Sequence, residues 1–170
     1  MNILSTEVEH APTADPPDTE TARDIYRPPI KIEQMAHAKG LPLPKYGTEY
    51  SAAFDLPAAK EVTIESGQQG MVETGLRFEI EIGYCGQISM RSGSARKLNL
   101  IIMNAPGIVD SDFRGEVMIC LFNLGITHCV IKRGQCVAQM IITAVRRPIP
   151  TLADFISRTV RGEGGFGSTG

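Results

Sequence analysis

The feature that most constrains this chain is a strict alternation midway along it. Leu76, Phe78, Ile80 and Ile82 alternate with Arg77, Glu79 and Glu81, the period-two signature of a strand with one buried face. Two further runs are apolar on both faces: Val117 to Leu121, and Val137 to Ile142 apart from Gln139. Both are expected to be central strands. Turn signals separate such runs at Ser66-Gly67, Ile82-Gly83, Asn123-Leu124-Gly125 and Arg133-Gly134. No window sustains a 3.6-residue period for long, and Leu152 to Arg158 offers a short helical turn at most. Many short strands with regular turns predict an all-β sandwich or barrel.

A length of 170 residues suits one domain with a real core. Seventeen Lys+Arg against 19 Asp+Glu leave a formal charge of -2. No global basic field exists to draw in a nucleic-acid backbone, so a phosphate site must be local. Apolar runs such as Val117 to Phe122 are far too short to cross a bilayer. Neither nucleic acid nor membrane is therefore an expected partner. The opening residues MNILSTEVEH have no basic and apolar signal regions, and Glu7, Glu9, Asp15, Asp18, Glu20 and Asp24 argue against a transit peptide. The expected location is cytoplasmic. The cysteines Cys85, Cys120, Cys129 and Cys136 form no CxxC pair and are expected to be buried, reduced thiols. His128 beside Cys129 has no second ligand pair at zinc spacing.

Composition divides the chain into three parts. Residues 1–28 are polar and are expected to be a disordered leader, because they cannot bury enough apolar surface to offset their ordering entropy. Residues 29–158 carry the strand pattern. Residues 159–170 hold too much glycine to keep a fixed shape alone and are expected to form a flexible C-terminal arm.

Four segments could carry chemistry. In Arg91-Ser92-Gly93-Ser94-Ala95-Arg96, arginine offers a planar fork of donors to phosphate oxygens, Ser92 a hydroxyl, and Gly93 close backbone approach. A solvated turn accounts for the same letters. Gly107 to Gly115 holds Asp110 and Asp112, which would share one face of a regular strand, one as general base and the other paired with an arginine. An acidic turn with a hairpin salt bridge fits equally well. Gln139 lies within an apolar strand and must bond to backbone or to a ligand. The tail holds Arg161, Phe166, Ser168 and Thr169 on glycines, a composition that can order over a nucleotide or stay loose. Its Gly162-x-Gly164-x-x-Gly167 match to a dinucleotide fingerprint is spurious, since it neither follows a strand nor opens a helix. No GxxxxGK[ST] sequence occurs.

Together these segments resemble the trimeric dUTPase family from about Ile30 to Gly170. Its five motifs are matched in order by Ser51 to Ala59, Arg91 to Ala95, Gly107 to Gly115, Arg133 to Gln139 and Arg161 to Gly170. The resemblance implies a distorted β jelly roll assembled as a homotrimer, with active sites drawn from more than one subunit and closed by the arm. It implies hydrolysis of dUTP to dUMP and pyrophosphate with Mg2+, limiting uracil in DNA and supplying dUMP for dTMP synthesis. By this likeness Asp110 activates the attacking water and holds the 3′-hydroxyl. Arg91, Ser92 and Gly93 hold phosphates, with Gln139 near the phosphate chain. Asn104 and the backbone of Gly107, Ile108 and Val109 read uracil, and Met118 contacts substrate. Arg161 and Ser168 clamp the γ-phosphate, while Phe166 and the neighbouring Gly167 cover the base. Asp55 acts on the metal through water.

The chemistry agrees with these roles. Magnesium bridging phosphates takes mostly phosphate and water oxygens, so no dedicated protein cage is expected. Phe113 departs from the family's usual tyrosine beneath the deoxyribose, leaving ring packing alone to block a 2′-hydroxyl. Ala53, Met90 and Ser94 replace the common glycine, proline and leucine. A dCTP deaminase of the same fold and a nucleotide-sensing regulatory protein are the competing readings.

Overall fold

The computed structural model describes residues 30–165 and Gly167. The leader expected over residues 1–28 lies outside the described residues, as do Phe166 and Ser168. Eleven strands carry the described chain. They are β1 Lys31–Gln34, β2 Phe54–Pro57, β3 Val62–Ile64, β4 Gln69–Glu73, β5 Leu76–Glu79 and β6 Tyr84–Met90, then β7 Leu100–Ile102, β8 Gly107–Val109, β9 Met118–Asn123, β10 Cys129–Ile131 and β11 Cys136–Ala144. One α-helix, α1 Ser92–Leu98, interrupts them between β6 and β7.

All ladders are antiparallel. A four-stranded sheet runs in the order β2-β11-β6-β8 and a three-stranded sheet in the order β4-β9-β7, while β1-β5 and β10-β3 form two-stranded ribbons. The two runs with apolar residues on both faces are the middle strands their composition predicts: β9 lies between β4 and β7, and β11 between β2 and β6. Leu56, Ile64, Val72, Leu76, Leu100, Ile119, Leu121, Ile131, Val137 and Met140 fill the space between the sheets, each no more than 1% exposed. At about 25 cal/mol per Å² of apolar surface removed from water, this core is the main stabilising element.

The alternation from Leu76 ends sooner than the sequence suggests. Leu76 and Phe78 point inward on β5 and Ile80 is buried beyond it, yet Ile82 is exposed. The ladder to β1 stops at Lys31–Glu79. The chain then turns at Gly83 (φ 95°), with the Tyr84 amide donating to the Glu81 carbonyl. The Leu152–Arg158 segment makes no helical turn, and Leu152, Phe155 and Ile156 stand almost fully exposed on an irregular chain. Conversely, α1 has no long apolar period to announce it. Two helical turns need only one inner pair at i and i+4, and Ser94 and Leu98 supply it by packing inward. Asn99 ends the helix in the left-handed conformation at φ 52°. All four cysteines are free, but only Cys85 is buried; Cys120, Cys129 and Cys136 are half-buried.

Candidate active site

The register of the four-stranded sheet builds a polar row across its strands. Gln139 on β11 lies opposite Asp55 on β2 and Ser89 on β6, while Met140 lies opposite Phe54 and Ile88 on the core side. The strand period thus sends Leu56, Ile88, Ala138 and Met140 inward and their polar neighbours outward. The Gln139 amide donates to the Ser89 hydroxyl at 3.3 Å, which answers the question posed by an amide in an apolar strand. Two residues beyond Ser89, at the end of β6, the Arg91 Nε meets the Asp55 carboxylate at 2.7 Å.

A one-residue register shift between Cys136 and Ala138 marks the neighbouring part of β11. Here the Cys136 carbonyl accepts from Arg91 Nη1 at 3.1 Å and from the Ser94 hydroxyl at 3.3 Å. Arg91 is therefore held from two sides, with guanidinium N–H groups left over. The Cys136 thiol is pushed up from its ordinary range by burial first and by the Asp55 charge second, with Arg91 opposing. Asp55, Arg91, Ser92, Gly93 and Gln139 line one cleft of about 690 Å³, together with Ser51, Ala52 and Ala53. A Cβ on Gly93 would meet nothing within 4 Å, so packing does not demand glycine there and open approach to a ligand is what its absence of side chain provides.

A second cleft, of about 230 Å³, gathers Asn104, Gly107, Ile108, Val109, Phe113 and Met118. The strand β8 forms its wall. Because β8 pairs only with β6 and ends the sheet, alternate N–H and C=O groups along its other side have no strand partner. Val109 is buried, so its side chain belongs to the core and only its backbone is available to the cleft. The strand stops at Val109, and Asp110 follows at the cleft's edge, exposed. Asp110 and Asp112 therefore do not share a strand face, since a turn intervenes in which the Phe113 amide donates to the Asp110 carbonyl at 3.1 Å. Arg114 makes no ion pair with either aspartate. Its Nη1 donates to the Ser111 and Phe113 carbonyls at 2.7 and 2.9 Å.

Among the described residues the two groups stay in separate clefts, and residues 159–165 and Gly167 of the arm line neither. Arg161 curls onto its own segment, its Nε donating to the Gly164 carbonyl at 2.7 Å, and Gly167 is exposed at φ 88°. Sequence reasoning missed Ser89 and the Cys136 carbonyl, because both depend on cross-strand register. A single carboxylate in a cleft with Arg91, Ser92 and Gly93 suits a Mg2+ ion that takes its other oxygens from phosphate and water. Elsewhere His37, Glu73 and Glu116 approach one another, but their groups satisfy each other. His37 Nε2 lies 3.0 Å from Glu116, Lys60 pairs with Glu73, and the Gly75 amide donates to Glu116.

Edge-strand and arginine–carboxylate clefts on an antiparallel sandwich define an all-β protein equipped for a phosphorylated ligand. The dUTPase family model matches residues 39–170. The chain is 46% identical to the deoxyuridine 5'-triphosphate nucleotidohydrolase of Sinorhizobium medicae over 147 residues, 84% of this chain and 92% of that protein. It is 46% identical to the enzyme of the same name from Anaplasma marginale, covering 83% of this chain and 97% of that one. Among solved structures, the Staphylococcus bacteriophage 80alpha dUTPase G164S mutant with dUpNHpp superposes with a TM-score of 0.77 at 22% identity, over 84% of this chain and 98% of that one. The chain belongs to the dUTPase family of dUTP-hydrolysing enzymes. Its fold is the distorted β jelly roll expected from the resemblance.

Proposed function

We propose that this chain hydrolyses dUTP to dUMP and pyrophosphate, with Mg2+, in active sites completed between the subunits of a homotrimer. The observation that carries the reading is the division of the site. The phosphate-binding groups Arg91, Ser92, Gly93 and Gln139 occupy one cleft with Asp55, and the edge-strand groups occupy another. A nucleotide needs both. A neighbouring copy bringing its edge-strand cleft to this chain's arginine cleft supplies both at once. The exposed apolar side chains of Ile149, Leu152, Phe155, Ile156 and Val160 support association, since so many large apolar groups are not left in water without a partner.

The free side of β8 and Asn104 read the uracil edge by donor and acceptor pattern, which tells uracil from cytosine. Phe113 lies under the deoxyribose and blocks a 2′-hydroxyl. Asp110 holds the 3′-hydroxyl and takes a proton from the attacking water. The water oxygen bonds to the α-phosphorus as the bond to the departing pyrophosphate breaks. Arg91, Ser92 and Gly93 neutralise charge on the phosphate oxygens, worth more in a water-poor cleft. Asp55 would hold a Mg2+ ion through water, and that ion would supply charge neutralisation to the phosphates. Arg161 and Ser168 of the arm clamp the γ-phosphate while Phe166 stacks on the base. In the cytoplasm this activity limits uracil incorporation into DNA and supplies dUMP for dTMP synthesis.

Pyrophosphate release from dUTP, UTP, dCTP and dTTP tests the reading, with ammonia release from dCTP as the arm that would favour a deaminase. The expected result is turnover of dUTP above the others, falling by about 10²–10⁴-fold in Asp110→Asn, the range for loss of a general base. Full activity in that variant would remove Asp110 from the mechanism.

A further inference from the structure

The Phe113 ring rests on a residue that has no side chain. A Cβ built on Gly115 would lie 2.6 Å from the ring's Cζ and 2.9 Å from its Cε2. Carbon atoms pack at about 3.5–4.0 Å, so the ring occupies the space in which an alanine methyl would stand. Gly115 does not have the positive φ that would itself require glycine. Alanine therefore suits this backbone, and the ring is the sole close obstacle.

The backbone around Phe113 is fixed on both sides. Its amide donates to the Asp110 carbonyl and its carbonyl accepts from Arg114, whose guanidinium also spans to the Ser111 carbonyl. What remains free is the side chain, with two rotatable bonds and an exposed outer face. A tyrosine could tether its tip by a hydrogen bond. Phenylalanine has no such group, so here packing sets where the ring tip stands, and the ring lies over the open position at Gly115.

We propose that Gly115 is a positioning residue for sugar selectivity, holding the Phe113 ring at the height in the edge-strand cleft that excludes a 2′-hydroxyl. The inference rests on Phe113 being the wall beneath the sugar. A methyl at residue 115 displaces the ring tip by about 1 Å, the difference between 2.6 Å and ordinary carbon contact. The fold tolerates this because the ring can swing toward solvent.

The test compares kcat/KM for dUTP and UTP in the full-length chain, Gly115→Ala, Phe113→Ala and the double variant, each with a melting curve. Gly115→Ala is expected to lower the dUTP/UTP ratio by about tenfold or more, the scale on which pocket walls discriminate single groups, while its Tm stays within a few degrees. In the Phe113→Ala background the same change is expected to have little further effect on the ratio, because no ring remains to be moved. A ratio unchanged in Gly115→Ala but lowered in Phe113→Ala overturns the role of Gly115 and leaves Phe113 as the wall. A ratio unchanged in Phe113→Ala overturns both. A Gly115→Ala chain that fails to fold also overturns the proposal, which requires the ring to yield and the fold to remain.

Discussion

Replacing Asp55 by asparagine separates what the Arg91–Asp55 pair does for the fold from what it does for the reaction. The contact is short, 2.7 Å, but the two side chains are 40% and 36% exposed, so water screens the attraction and the pair contributes about 0–1 kcal/mol. Asparagine keeps an oxygen that can accept from Arg91 Nε, and Arg91 retains the Cys136 carbonyl. The expected loss is below about 1 kcal/mol, a shift of roughly 2–4 °C in a chain of this size. The effect on metal is larger. Groups that act on a metal through its ligands change affinity by about 10–100-fold when replaced, so the Mg2+ concentration for half-maximal pyrophosphate release should rise by that factor. A third readout is independent of turnover. Asp55 raises the Cys136 thiol pKa, so its removal increases the thiolate fraction and should speed alkylation of Cys136 at fixed pH. A Mg2+ requirement unchanged in Asp55→Asn, with Tm depressed by some 10 °C or more, a loss several times that of a screened pair, would show the carboxylate to be a structural strut and refute the reasoning.

Two further changes address stability alone. Asn123 is fully buried, donating to the Ile64 and Thr127 carbonyls at 3.0 and 2.8 Å and accepting from the Gly125 amide at 2.8 Å. Asn123→Ala leaves these groups without their partner and should cost about 3 kcal/mol or more in urea unfolding, with Asn123→Asp, which loses both donors, at least as damaging. The Glu73 and Glu79 carboxyls sit below their ordinary range through hydrogen bonds from Lys60 and Lys31. Their contribution is complete above the unfolded glutamate pKa and is lost as pH falls through the lower folded values. Melting curves taken from neutral to acidic pH should show that loss, made smaller by salt and by Lys60→Met or Lys31→Met.

The residues legible in the sequence were those whose role depends on local pattern. Central strands β9 and β11 were readable because both faces are almost wholly apolar. Register was not readable. Nothing in the letters of β2, β6 and β11 says that Asp55, Gln139 and Ser89 form one row, because that depends on pairing across more than 30 residues of intervening chain. The Asp110–Asp112 spacing misled for a related reason. A strand pattern continues on paper through Asp110, whereas the hydrogen bond from the Phe113 amide closes a turn as soon as β8 ends. The exposed Leu152–Arg158 segment had a composition compatible with a helical turn, but without a described surface of its own chain to pack against it gained nothing from forming one.

The shared site we propose has the same dependence on partners: among the described residues the two groups of site residues lie in separate clefts. Strand pairing fixes Asp55 and Gln139, Asp55 and the Cys136 carbonyl hold Arg91, and the edge position of β8 keeps its outer backbone free of a strand partner. Each half is organised by its own sheet geometry, so neither needs the other in order to form. In the trimer we propose, assembly would have only to bring two preformed surfaces together, lowering the ordering cost of binding a nucleotide. What strand geometry does not fix is the Phe113 ring, held by contact with a glycine and by no hydrogen bond. Sugar selectivity should accordingly be the property of this chain most sensitive to small changes in packing, and phosphate binding, tied to the four-stranded sheet, among the least.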